Sequence, residues 1–97
     1  MPHYITLLTY TQKGVENIKH SGKRTDAARK AFAAAGGKMH TIYLTMGRFD
    51  AVVISEFPDD ETAARVTLSI AAQGNVHTET LRAFTEEQGR KITASVK

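Results

Sequence analysis

The segment from Tyr43 to Glu61, which reads YLTMGRFDAVVISEFPDDE, decides the fold of this chain. Its pattern predicts the end of one strand, a tight turn at Gly47, a second strand rich in β-branched residues, and a helix start. The second strand is expected to stop at Pro58, since proline cannot donate to a strand ladder, and Asp59 is a suitable helix cap. The segment therefore predicts a β-hairpin that leads directly into a helix.

The flanking sequence predicts one strand and one helix before this hairpin, and one more strand after it. We predict strands over 3–10, 38–46, 50–57 and 75–84, and helices over 12–35, with a break near 20–22, and 59–73. Thr11 is expected to cap the start of the first helix, and Ser21 to act as a second cap after the break. The order β-α-β-β-α-β indicates an α+β, ferredoxin-like sandwich: a four-stranded antiparallel sheet with two helices on one face. All 97 residues are assigned to a single domain, with a core over about 3–85 and a polar C-terminal tail, 86–97, that is expected to fray.

The pairing of the two hairpin strands depends on the parity of the loop between them. An odd loop pairs Leu44 with Val52 and Ile42 with Ile54, which collects the aliphatic residues on one face. We therefore expect an odd number of residues in the loop. Because both helices are predicted on one face of the sheet, the other face is expected to have no helix over it. That uncovered face is predicted to carry the apolar residues Tyr4, Leu8, Tyr10, Tyr43 and Val53.

An uncovered apolar face predicts self-association, because so much apolar surface is seldom left in water. A second copy that packs its sheet against this one would give a homodimer, or a higher oligomer, of the dimeric α/β-barrel type.

Composition excludes several classes of protein. Cysteine is absent, so the chain has no disulfide and no thiolate ligand or nucleophile. No signal peptide and no membrane-length apolar run are visible, and a cytoplasmic location is expected. The net charge of +3 comes from a basic first third, which we interpret as a solvated helix face. The sheet lacks the aromatic signature of RNA-binding sheets, which argues against a nucleic-acid partner.

Hydroxyl groups on the predicted uncovered face form the first candidate site. They could line a cleft for a small, partly apolar ligand, or they could belong to a plain dimer core with a wet rim. The candidate residues are Tyr4, Thr6, Thr41, Tyr43 and Ser55.

His40 and Glu56 form the second candidate, because the odd-loop register places them directly opposite one another. They could act as an acid/base pair or as half of a metal site, or they could be a cross-strand polar pair at the end of a strand. We predict no metal and no cofactor, since the chain has no His-x-x-x-His pair, phosphate-binding glycine loop or nucleophile elbow.

The hairpin segment, the strand GNVHTETLRAF over 74–84 and the segment IKHSGKR over 18–24 resemble the GYD domain family. The family's Gly-Tyr-Asp motif is present as Gly47-Arg48-Phe49-Asp50, with Phe49 in the tyrosine position and therefore without its hydroxyl. His77 stands where members of the family often have arginine. The resemblance implies a ferredoxin-like fold in the dimeric α/β-barrel group, and it implies no established activity.

Together these observations predict a homo-oligomeric small-molecule-binding or interaction module with no identifiable catalytic motif. The alternative is a cofactor-independent oxygenase- or isomerase-like enzyme with its site between the sheet and a dimer partner. That alternative rests on fold analogy alone.

Overall fold

A computed structural model describes residues 1–97 and contains one antiparallel sheet with the spatial strand order β2-β3-β1-β4. This is the arrangement that the β-α-β-β-α-β pattern predicts. The elements are β1 (His3–Tyr10), α1 (Gln12–Glu16), a 3₁₀ turn (Ile18–His20), α2 (Ser21–Ala34), β2 (Lys38–Leu44), β3 (Ala51–Glu56), α3 (Asp60–Ala72), β4 (Val76–Ala83) and α4 (Glu86–Ala94).

Two of the predicted helix caps are present. The Thr11 side chain accepts a hydrogen bond from the Gly14 N–H at the start of α1, and Asp59 accepts one from the Thr62 N–H at the start of α3. The break in the first helical segment is a 3₁₀ turn, after which α2 begins at Ser21 without a side-chain cap. The expected second cap from Ser21 is therefore wrong, because this residue already lies within the helix.

The predicted odd loop between β2 and β3 is also wrong. Six residues separate the two strands, and Ile42 pairs with Val53 while Tyr43 pairs with Val52. Val52 and Val53 place apolar side chains on both faces of β3, so collecting the aliphatic residues on one face does not fix the register. At the other end of β2, a β-bulge between Met39 and Thr41 adds a residue to the strand. The extra residue changes the phase of β2, so Met39 and Ile42 both face the helices although their separation in the chain is odd.

The face of the sheet under α2 and α3, here called the covered face, carries the core. Tyr4, Met39 and Val53 are buried there with Phe32 of α2 and Phe57 of the β3–α3 connection. The Phe57 ring is 1% exposed and lies 4.8 Å from the Phe32 ring and 5.9 Å from the Tyr4 ring, measured between centroids.

The predicted assignment of faces must be reversed for β1 and β3. Tyr4, Leu8 and Val53 were expected on the uncovered side, but they pack against the core beneath the helices, and Tyr10 lies on that side as well. Tyr4 gains a partner there, since its hydroxyl donates a 2.6 Å hydrogen bond to Oδ1 of Asp60 at the start of α3. A tyrosine can be buried in this way because the helix end provides an acceptor for its polar tip.

The polar tail that was expected to fray instead forms α4. Thr85 and Gln88 form a reciprocal capping box at its start, and the Glu86–Arg90 and Glu87–Lys91 pairs link successive turns. Ile92 of this helix is 45% exposed. The whole molecule is 50 Å long in its longest dimension. No helix in the structure is both long enough and apolar enough to cross a bilayer.

Candidate functional site: the open face of the sheet

The second face of the sheet carries no helix and is called the open face here. The strand registers place the side chains of one row, Thr41, Ile54, Ile5 and Leu81, next to a second row, Tyr43, Val52, Leu7 and Glu79. These rows run across all four strands, because residues that pair directly in an antiparallel sheet point to the same side. The open face is therefore a continuous, mainly aliphatic surface.

Much of this surface is accessible in the isolated chain. Tyr43 is 60% exposed and Leu81 is 47% exposed. The whole chain exposes 6595 Å², whereas a compact monomer of 10.6 kDa is expected to expose about 5,500 Å². The chain as a whole therefore exposes more surface than a compact monomer of this mass.

One end of the open face is polar. His3 at the start of β1, His40 in the bulge of β2 and Glu56 at the end of β3 come together there. Nε2 of His40 lies 2.5 Å from Oε2 of Glu56, and Nε2 of His3 lies 3.7 Å from Oε1 of the same carboxylate. The side chains of His40 and Glu56 are therefore in contact, although the two residues are not paired in the register that was expected. The bulge produces this contact, since the backbone of Glu56 pairs with Lys38.

The electrostatics of this cluster favour a charged carboxylate. The hydrogen bond from His40 is the main cause that lowers the pKa of Glu56, and the nearby His3 acts in the same direction, while partial desolvation opposes both. The imidazole rings of His3 and His40 lie parallel with centroids 5.8 Å apart. Nδ1 of His3 is buried and has no hydrogen-bond partner, so the polar contacts of this ring depend on Nε2.

The five hydroxyl-bearing candidate residues are divided between the two faces. Tyr4, Thr6 and Ser55 are buried on the covered face. Thr41 and Tyr43 lie on the open face, opposite Ile54 and Val52. The structure therefore does not bring these five residues together in one cleft.

A cavity of about 140 Å³ lies between the covered face and the two long helices. Its wall is mainly apolar and includes Leu8, Phe32 and Ile70, and Thr6 is the one member of the predicted ligand set that lines it. Arg24 also lines it. Nη1 of Arg24 donates to the Asn17 carbonyl at 3.0 Å, whereas Nη2 is buried without a partner.

Three comparisons with known proteins agree on the family and fold. The GYD domain model matches residues 4–93. This chain belongs to the GYD domain family. A Thermus thermophilus protein named "Glutamine synthetase and cystathionine beta-lyase binding protein" is 32% identical over 85 residues, which cover 87% of this chain and 90% of that protein.

Two solved structures resemble this GYD domain. The crystal structure of TTHA0845 from Thermus thermophilus has a TM-score of 0.55 and 26% identity, and the match covers 88% of this chain and 95% of that one. The crystal structure of FFRP-DM1 has a TM-score of 0.61 and 15% identity, with 87% and 100% coverage, and it supports the fold alone.

The family motif of this GYD domain forms the β2–β3 loop. Gly47 has a φ of +108°, which is the positive value expected for this turn. Oδ2 of Asp50 accepts a 2.8 Å hydrogen bond from the Tyr10 N–H, and the Asp50 N–H donates to the Leu8 carbonyl at 2.8 Å. The Asp50 carboxylate and N–H therefore join the loop to the end of β1, while the Asp50 carbonyl accepts a 2.9 Å hydrogen bond from the Thr45 N–H within the loop.

Sequence reasoning overlooked His3. The missing signal was the pairing of β1 with β3: once Ile5 is aligned with Ile54, His3 falls opposite Glu56. The hairpin pattern predicts only the β2–β3 register, so the third member of the polar cluster of this GYD domain was not visible from that segment.

Proposed function

We propose that this protein is a homodimeric interaction module whose two copies pack through the open faces of their sheets. The observation that carries this proposal is the two-row aliphatic surface that no element of the chain covers. Burying such a surface against a second copy would stabilise the dimer by the hydrophobic effect, and two packed sheets are a standard arrangement. The proposal includes a cytoplasmic location.

The partner of the dimer is proposed to be a metabolic enzyme. The Thermus relative is named for binding glutamine synthetase and cystathionine beta-lyase, and it is similar to this chain across nearly its whole length. We extend to this chain the role of binding such an enzyme. The alternative of a cofactor-independent oxygenase- or isomerase-like enzyme stays a prediction.

Native mass spectrometry tests both parts of the proposal. The purified protein is measured alone, and then after mixing with glutamine synthetase and cystathionine beta-lyase from the same organism. We expect a dimer in the first spectrum and a dimer-bearing enzyme complex in the second. A spectrum that shows only the monomer would contradict the proposed dimer. The absence of a complex with either enzyme would contradict the proposed partner.

A second candidate function is small-molecule binding in the cavity beneath the helices. The unpartnered Nη2 of Arg24 favours it, since a buried guanidinium nitrogen beside an apolar wall suits a small organic carboxylate. We expect a panel of small aromatic and branched carboxylates to include one that raises the melting temperature of the protein. Arg24→Gln should abolish that shift, and an equal shift in the variant would contradict this assignment.

A further inference from the structure

We propose that His3, His40 and Glu56 form a binding site for a divalent transition-metal ion, with Zn²⁺ as the best match. The observation behind this proposal is the convergence of three potential ligand atoms, one from each residue, that all lie within 4.8 Å of one another. All three residues belong to one chain, so the site does not depend on the proposed dimer.

The scaffold of the site is one end of the sheet. The three residues lie on three adjacent strands, and the bulge in β2 is the feature that brings His40 toward Glu56. A zinc ion bound to nitrogen at about 2.1 Å holds tetrahedral ligand atoms about 3.4 Å apart. Nε2 of His40 lies 2.5 Å from Oε2 of Glu56 and Nε2 of His3 lies 3.7 Å from Oε1, so the side chains would have to adjust around a bound ion.

The ligand types select a class of metal. Two imidazole nitrogens and one carboxylate oxygen suit Zn²⁺ and its neighbours Co²⁺ and Ni²⁺, whereas Mg²⁺ and Ca²⁺ prefer oxygen ligands alone. Metal binding also requires a deprotonated carboxylate, which a glutamate supplies at neutral pH. Three protein ligands leave at least one coordination position open to water or another small ligand.

A plain hydrogen bond between His40 and Glu56 would explain only two of the three residues. His3 makes no hydrogen bond at 3.7 Å, so the pair leaves Nε2 of this ring without a hydrogen-bond partner. A polar ring held in this way, parallel to a second histidine and beside a shared carboxylate, is more fully explained by a bound cation. The contribution of His3 to metal binding therefore distinguishes a metal site from a simple His40–Glu56 hydrogen bond.

The test uses the full chain purified without a histidine tag, because the imidazoles of a tag would bind the metal themselves. After treatment with a chelator, the protein is titrated with ZnCl₂ and separately with MgCl₂ in a calorimeter. The ligand variants are His3→Ala, His40→Ala and Glu56→Gln. The matched control is His77→Ala, since His77 is an exposed histidine at the opposite end of the open face.

We expect one Zn²⁺ per chain with a Kd of about 10 µM or tighter, and no response to Mg²⁺. Each ligand variant should weaken zinc binding by more than about 100-fold, which exceeds the usual loss when only an outer partner of a metal ligand is removed. His77→Ala should bind zinc as the parent does. Circular dichroism confirms that each variant is folded, and the visible spectrum of bound Co²⁺ should change when either ligating histidine is removed.

Three results would overturn the proposal. The first is the absence of zinc binding tighter than about 100 µM, a weak affinity that scattered surface histidines can reach. The second is parental affinity in His3→Ala, which would leave only the hydrogen-bonded pair. The third is a loss in His77→Ala equal to that in the ligand variants. Because stoichiometry is counted per chain, a monomeric protein that binds one zinc would contradict the proposed dimer and still support this site.

Discussion

The two faces of the sheet differ in whether other parts of the chain cover their side chains. On the covered face, helices α2 and α3 enclose Tyr4, Val53 and Phe57, and each of these is at most 4% exposed. On the open face, the neighbouring positions Ile5, Val52 and Ile54 carry equally apolar side chains but are only half-buried. Alternation of apolar residues along the strands therefore predicts two apolar faces, but it does not predict which face the helices of the same chain cover.

The largest effect is expected on the covered face. Phe57→Ala removes a fully buried ring that contacts two other aromatic rings. The free energy of unfolding should fall by about 3–5 kcal/mol, which is typical of a buried phenylalanine truncated to alanine. Urea denaturation measures this loss, and a change below about 1 kcal/mol would show that the ring is not part of a packed core.

Two adjacent valines on opposite faces sharpen the comparison. Val53→Ala should lower the free energy of unfolding by about 2 kcal/mol at every protein concentration, because two methyl groups leave a packed interior. Val52→Ala should instead lower stability mainly by weakening the dimer, so its effect should depend on protein concentration. Denaturation of both variants over a wide concentration range provides the test. If the loss of stability depended on protein concentration in the same way for both variants, the proposed difference between the two faces would be contradicted.

Asp50 tests whether the family motif serves the fold. Asp50→Ala leaves the Tyr10 N–H without its acceptor and should cost about 1–2 kcal/mol of unfolding free energy. Asp50→Asn should recover much of this loss, since an amide oxygen also accepts a hydrogen bond. Equal stability of the parent and both variants in guanidinium would count against the structural role and make Asp50 a catalytic candidate.

The pH dependence of stability distinguishes the two tyrosines. Burial and the hydrogen bond to Asp60 raise the pKa of Tyr4 to about 12 from an ordinary value of 10.0. A raised folded-state pKa contributes stability that is complete below pH 10 and is lost as the pH rises toward 12.

The parent should therefore lose unfolding free energy over this range, and Tyr4→Phe should lose less. Tyr43→Phe, which alters a tyrosine that is 60% exposed on the open face, is the matched control and should follow the parent. Parallel curves for the parent and Tyr4→Phe, from denaturant melts at successive pH values, would refute this account.

The sequence was sufficient to predict the element order, the sheet and the glycine turn, because these depend on local periodicity and on residues such as Pro58 and Gly47. It was insufficient for the assignment of faces. β1 and β3 carry apolar residues on both sides, so their alternation does not show which side the helices cover. The bulge at His40 also changes the phase of β2, and no local pattern marks that extra residue.

The candidate site was predictable only in part. The His40–Glu56 contact was expected from a hairpin register that is wrong, and the bulge in β2 brings the two side chains together. His3 joins them through the pairing of β1 with β3, which are far apart in the chain. The prediction that the C-terminal tail, residues 86–97, frays was wrong for another reason. Its polarity suggested fraying, but the Thr85–Gln88 capping box and charge pairs four residues apart support a helix.

Sedimentation velocity tests most directly whether the open face joins two copies of the chain. The parent, Val52→Lys and the control Leu68→Lys, which alters an exposed leucine on α3, are compared at micromolar concentration. We predict a dimer of twice 10.6 kDa for the parent and for Leu68→Lys, and a folded monomer for Val52→Lys, because a charge in the centre of an apolar interface is strongly unfavourable. A parent that sediments as a single 10.6 kDa species, or a Val52→Lys variant that remains dimeric, would contradict the account.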